Sequence, residues 1–245
     1  MKKFSLFKIA ALMLVLVFAA SCKKENRCDC IKRTGEIITE TRLLSGFDKI
    51  YVEDNVKVML TQDPAFEVKV EAGKNIAPLI KTEIIDGTLY IKNKNRCNWT
   101  RSYDKPIIVY VKMPIIKYIT SDGTDTIKSV NTITTDVFDV QTKNSGSIEL
   151  TVNNSKIYSH MHGSGDLILS GTTIEHACDI GGTAFLKCAN LQTTNCYVHT
   201  FTTGLCYVTA SNLTTIIDYV GDVYCYGNPA NIQTVRKGKG QLYIE

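Results

Sequence analysis

The sequence contains no C-x-x-C pair, no nucleotide-binding loop, no nucleophile elbow and no metalloprotease helix. Zinc-site, nucleotide-dependent, serine-hydrolase and metalloprotease chemistries therefore lack their usual local frameworks. Charge of one sign is lacking too. The 28 basic and 24 acidic side chains become 25 and 24 once residues 1–21, with three lysines and no acid, are set aside. A nucleic-acid binder needs a basic excess or stripe, so none is expected as a partner. The acids are scattered rather than convergent, which leaves no calcium site in view, and no metal or cofactor is expected. Beyond the N-terminus no apolar run is long enough to cross a bilayer.

What is present begins with an export signal. Lys2, Lys3 and Lys8 precede "IAALMLVLVFAA", an apolar run of h-region length and too short to span a membrane. "AASC" follows, with "KKENR" behind it. This junction resembles the lipobox of bacterial lipoproteins, with Ala19 where a leucine is preferred. The resemblance implies removal of residues 1–21, a lipid on Cys22, and residues 22–42 as anchor and linker. It also implies a partner, the membrane that holds the lipid, and a cell-envelope location as an outer-membrane lipoprotein. "KKE" hints at display on the outer face, because acidic residues near that position resemble surface-export signals of Bacteroidetes. An ordinary cleaved signal would still place the chain outside the cytoplasm.

The second half repeats. Gly123, Gly146, Gly165, Gly182, Gly204, Gly221 and Gly240 recur at intervals near twenty residues. Eight residues before them stand Ile115, Phe138, Ile157, Ile174, Cys196, Leu213 and Ile232; four after stand Ile127, Leu150, Leu169, Leu186, Val208, Cys225 and Ile244. All are apolar, against a chance on the order of 10⁻⁵ at this composition. Each unit reads as strand, glycine turn, strand, then a corner rich in Asn, Thr and Ser such as "VNNS", "SGTT" or "ASNLTT". Units this short cannot bury a face alone, but stacked in parallel they share one core. The fold class expected is all-β, a right-handed parallel β-helix over residues 113–245. Residues 43–112 alternate apolar and polar at period two, as in "FDKIYVEDNVKVML" and "GTLYIKNK", and form an N-terminal β-region continuous with it. "NIAPLIKTEII" is the one short helical or irregular candidate, and residues 94–106 read as an exposed excursion. The last rung, ending "QLYIE", has no obvious cap.

"LLSGFDKIYVEDNVKVMLTQD", then "VKVEAGKNIAPLIKTEIIDGTLYIK", then glycine-punctuated rungs, resembles the head GIN domain family of auto-transporter-type adhesins. That likeness covers residues 43–245. It implies an exported or lipid-anchored protein of a kind abundant in Bacteroidetes, a β-helix-like fold, and no established catalytic residues to carry over. Two departures stand out: Asp54 and Asn55 occupy a turn where glycine is expected, and nine cysteines are many.

Strand alternation assigns faces. His160, His199 and His162 point outward; His176 points to the core or its corner. One outward column, three residues before each glycine, holds Lys143, His162 and Asp179, followed by Phe201, Asp218 and Lys237. The first three read as a solvated salt-bridged ladder or, on the other reading, as an acid and base pair. A second outward column, three residues after each glycine, holds Ile168, Phe185, Tyr207, Tyr224 and Tyr243, with Tyr226 widening it. Contiguous exposed aromatics mark an interface or a ligand groove. Cys178, Cys188, Cys196, Cys206 and Cys225 share inward parity and serve as small core residues. Cys97 could form a disulfide with Cys28 or Cys30 in an oxidising envelope.

The first functional reading is a non-catalytic, lipid-anchored β-helix that displays a binding face to glycan, matrix or an envelope protein. A polysaccharide-active enzyme using the Lys143, His162 and Asp179 neighbourhood is the alternative from chemistry. A scaffold that forms homo-oligomers through the uncapped rung or the aromatic stripe is the structural alternative.

Overall fold

The computed structural model describes residues 33–96 and 105–245. Cys22, the export signal, Cys28, Cys30 and Cys97 lie outside the described residues. Among those described there is no α-helix; seventeen strands hydrogen-bond into one continuous sheet wound as a β-solenoid of about seven turns.

In chain order the strands are β1 (Ile37–Arg42), β2 (Lys49–Asp54), β3 (Lys57–Gln62), β4 (Glu67–Gly73), β5 (Ile80–Ile85), β6 (Thr88–Asn93), β7 (Ile108–Met113), β8 (Tyr118–Gly123) and β9 (Ile127–Ser129). There follow β10 (Ile133–Thr142), β11 (Ile148–Met161), β12 (Leu167–Gly182), β13 (Leu186–Thr202), β14 (Cys206–Ile217), β15 (Val223–Tyr226), β16 (Asn231–Arg236) and β17 (Leu242–Ile244). The "NIAPL" stretch makes a single 3-10 turn, Ala77–Leu79, before β5.

The N-terminal strands already supply rungs. β2 lies parallel between β6 and β8, and β3 parallel between β7 and β9. β5 and β6 form a hairpin whose turn, Asp86 and Gly87, has both φ values positive, as a tight two-residue hairpin turn requires. β1 and β4 add an antiparallel flank to β7. β8 and β9 then pair with β10 and β11, so the hydrogen-bonded ladder runs without a break into the later rungs. The turn after β2 is made by Asp54 at φ 63. Asp tolerates this left-handed conformation better than most residues with a Cβ, and its Oδ2 accepts from the Asn93 backbone N–H at 3.2 Å.

Inward columns form the core. Ile127, Ile148, Leu167, Leu186, Cys206 and Val223 stack rung on rung, all fully buried. Phe138, Ile157, His176, Cys196 and Leu213 make a second buried column. Glycine spacing alone misplaces two rungs. Gly165, Ala184 and Gly204 are the stacked turn positions, because a Cβ on Gly204 would meet the Ala184 carbonyl oxygen at 2.0 Å. Ala184, not Gly182, therefore holds that place in its rung. Likewise Gly146 sits over Asp125 rather than in line with Gly123. Both slips are two residues long, which leaves the side chain on the same face but shifts its column partner. Ile174 and Ile115 consequently fall outside the core, 58% and 49% exposed, and His176 takes the inward place expected of Ile174. At the other end, β16 is exposed along its whole length, Ile232 included, Ile244 of β17 is exposed as well, and no described residue covers them.

Candidate functional site

The aromatic column is shorter and tighter than the sequence implies. Its members are Lys128, Glu149, Ile168, Lys187, Tyr207, Tyr224 and Tyr243. Phe185 is not among them: the two-residue slip puts it in the turn before β13, where Lys187 Nζ lies 5.6 Å from its ring centroid. Charge occupies the lower rungs, with Lys128 paired to Glu149 at 2.7 Å and Lys187 to Asp166 at 2.7 Å. Above them Tyr207 and Tyr224 stack at 5.3 Å and 22°, and Tyr224 and Tyr243 at 4.9 Å and 17°. Loss of water on stacking pushes the Tyr224 phenol up, with Asp222 and the two neighbouring tyrosines adding to it. Tyr226 is half-buried two residues along β15, beside Thr209.

The polar ladder divides between two columns. Lys143 and His162 share one, which continues through Gly181 to Phe201. Gly181 leaves room that Phe201 fills: a Cβ there would lie 2.1 Å from the Phe201 ring, and that ring lies 6.2 Å from His162. Lys143 turns away, its Nζ 5.2 Å from the Tyr51 ring centroid. Asp179 stands in the next column, between His160 and His199, again because of the slip. There the sequence missed the side chain that organises the wall. His199 places Nδ1 3.1 Å from Asp179 Oδ1 and Nε2 3.0 Å from Asp218 Oδ2, and Lys237 reaches Asp218 at 3.5 Å. The His199 hydrogen bond, with Lys237 beside it, holds the Asp218 carboxyl below the usual carboxylate range. Both ring nitrogens of His199 face carboxylates. Only the Nε2 contact is a hydrogen bond; Asp179 Oδ1 has no hydrogen-bond partner, so Nδ1 makes a close approach without one.

A concave polar corner also escaped the sequence reading, which took its residues as turn formers. Thr135, Asn154, Thr173, Thr193 and Ala210 stack in register as the floor of a groove of about 710 Å³ running across five rungs. Its side chains are tied to the backbone and to one another: Asn154 Nδ2 donates to the Thr135 carbonyl at 2.6 Å and Thr172 Oγ1 to Asn153 Oδ1 at 2.9 Å. Among the described residues no group of three or more His, Cys, Asp or Glu side chains could hold a metal ion.

The family described as "Putative auto-transporter adhesin, head GIN domain" matches residues 46–229, three quarters of the chain. The chain belongs to this head GIN domain family. The domain's architecture recurs in a putative adhesin from Bacteroides fragilis NCTC 9343, with a TM-score of 0.80 at 21% identity over 86% of this chain and 97% of that one. A putative adhesin from Parabacteroides distasonis ATCC 8503 aligns with a TM-score of 0.65 at 20% identity, over 86% and 98% of the two chains. A putative lipid binding protein from the same organism gives 0.63 at 18%, over 86% and 97%. At these identities the likeness establishes a shared fold. No curated protein matches the sequence.

Inside this head GIN domain the five described cysteines are free and buried. His176, fully buried, places Nε2 2.8 Å from Ser159 Oγ and 3.1 Å from Cys178 Sγ, while its Nδ1 has no hydrogen-bond partner. Burial pushes the Cys178 thiol up, and the hydrogen bonds from Cys178 and then His176 pull Cys196 down. Burial also raises Cys206, to about 12, and Cys225, to about 11. These four thiols and the imidazole fill core columns.

Proposed function

We propose that this chain is an exported, non-catalytic binding module of the cell envelope, anchored in the outer membrane by lipid on Cys22 and displaying its solenoid wall to a surface polymer or partner protein. The observation that carries the reading is the Tyr207, Tyr224 and Tyr243 stack, three rings in a row with Tyr243 42% exposed. Ordered exposed aromatics offer large contact area with little side-chain entropy left to lose. The "AASC" junction supports the anchor, and the adhesin name of the family supports a surface or envelope role.

The test joins location to binding. Protease treatment of intact cells, followed by mass spectrometry, should release peptides from residues 140–245. Protection until the outer membrane is opened would overturn surface display. On the purified chain, Tyr224→Ala should weaken retention on cell-surface glycan or matrix polymer, and unchanged retention would overturn the role of the stack.

A second reading, self-association, draws on a different feature: the uncovered β16, with Ile232 and Val235 exposed on an open strand edge. Light scattering over a concentration series tests it. A mass that grows with concentration and returns to monomer on Val235→Lys supports an edge-to-edge contact; a constant monomer removes it.

A further inference from the structure

On the wall that carries His199, one outward column reads Asp139, Tyr158, Ala177, Tyr197 and Thr214. Rungs of a parallel sheet stand about 4.8 Å apart, so rings on successive rungs touch, as Tyr207, Tyr224 and Tyr243 do. In the column through Ala177 the middle ring is missing. Tyr158 and Tyr197 stand two rungs apart, roughly 10 Å by that spacing, and Ala177 supplies only a methyl group between them. A cavity of about 200 Å³ opens at this place, lined by Tyr158, Ala177 and Tyr197 and bounded on one side by His160, Asp179 and His199. Sites for drug-sized ligands run from about 300 Å³ upward, so this one accommodates a single ring rather than a folded ligand.

The polar surroundings select among rings. Glu175 and Asp179 stand two residues before and after Ala177 on β12 and so share its outward face. Glu175 is paired with Lys156 at 2.6 Å, and Lys156 Nζ lies 4.9 Å from the Tyr158 ring centroid. Asp179 has one oxygen toward His199. The slot thus has carboxylate with imidazole along one edge, beside two phenol rings and a methyl group, while the Lys156 and Glu175 pair lies outside its lining, next to Tyr158. A flat cation would meet Lys156 already at Tyr158. A wholly apolar ring would leave Asp179 Oδ1, which lines the slot and has no hydrogen-bond partner, unsatisfied.

We propose that the slot between Tyr158 and Tyr197 is a subsite for one uncharged pyranose ring of a glycan. The C–H faces of the sugar lie against the two tyrosines. Its hydroxyls donate to Asp179 and meet His160 and His199 along the polar edge of the slot. The site is separate from the Tyr207, Tyr224 and Tyr243 stack and does not require it.

The experiment uses the full chain and, as probes, the methyl glycosides of glucose, galactose, mannose and N-acetylglucosamine, with tetramethylammonium as the cationic control. Saturation-transfer NMR and a titration read binding. At least one glycoside should bind. Ala177→Tyr, which completes the ladder as Tyr224 does in its own column, should keep the fold and weaken that glycoside by about tenfold or more. Tyr197→Ala should weaken it similarly. Tyr224→Ala should leave it unchanged, which separates this site from the stack: polymer retention lost in Tyr224→Ala with glycoside binding intact means that both sites act. Binding of no glycoside, binding of tetramethylammonium in their place, or wild-type affinity in a folded Ala177→Tyr variant would overturn the proposal.

Discussion

His199 Nε2 lies 3.0 Å from Asp218 Oδ2 on the following rung. This contact lowers the Asp218 pKa, and a carboxylate with a depressed folded-state pKa contributes stability above its unfolded value, near 3.9, that is lost as pH falls through the folded value. Thermal melts of wild type and Asp218→Asn should therefore differ at pH 6, where the contribution is fully present, and draw together as pH falls from about 4 through the lower folded-state value. The gap will be small, as for other exposed pairs. A gap of equal size at pH 6 and pH 3 would mean that the substitution perturbs the wall by some route other than lost charge.

Close stacking of turns makes a second prediction. A Cβ on Gly165 would come within 2.1 Å of the Gly146 carbonyl oxygen, so Gly165→Ala must push two rungs apart. Urea denaturation should show a loss of roughly 1–3 kcal/mol, the range for overpacking a tight site. Ala184 supplies the internal control, since its rung already accommodates a methyl group at the equivalent place. Ala184→Gly should change stability far less.

The same turn position explains what the sequence could and could not disclose. Period-two alternation was enough to put Phe138 and Leu213 inside and His199 and Tyr224 outside. A strand can shift by two residues without changing which face a side chain uses. Column membership has no such protection. Because Ala184 replaces the recurrent glycine two residues after Gly182, glycine spacing places Asp179 after His162, whereas it pairs with His160 and His199. The same shift moves Phe185 out of the tyrosine column and exchanges Ile174 for His176 in the core. The polar groove was hidden for another reason. Thr135, Asn154, Thr173 and Thr193 are ordinary turn-region residues one at a time, and only their stacking across rungs makes a concave surface.

Burial of the thiols predicts their reactivity. Cys178, Cys188, Cys196, Cys206 and Cys225 are between 0% and 5% exposed, and an alkylating reagent needs an accessible thiolate. In the native chain these five should resist iodoacetamide, and mass spectrometry should find them labelled together as denaturant crosses the unfolding transition. Labelling of Cys196 alone in buffer would instead reveal a local opening beside His176.

The tyrosine stack predicts an asymmetry that simple burial does not. Tyr224 stacks on two rings, while Tyr207 and Tyr243 each stack on one. If each ring pair contributes about 0.5–1.5 kcal/mol beyond its buried area, Tyr224→Ala should lose roughly 1–3 kcal/mol and Tyr243→Ala about half as much. The double variant should cost less than the sum of the singles, because both remove the Tyr224 and Tyr243 contact. Chemical denaturation of the four chains measures this directly. Additive losses would mean that the rings are merely adjacent. A coupling of the expected sign would mean that the stack is ordered before any partner arrives, and a preordered aromatic face loses less side-chain freedom on binding than a mobile one. Polymer retention should then fall with the number of ring pairs broken, most steeply for Tyr224→Ala.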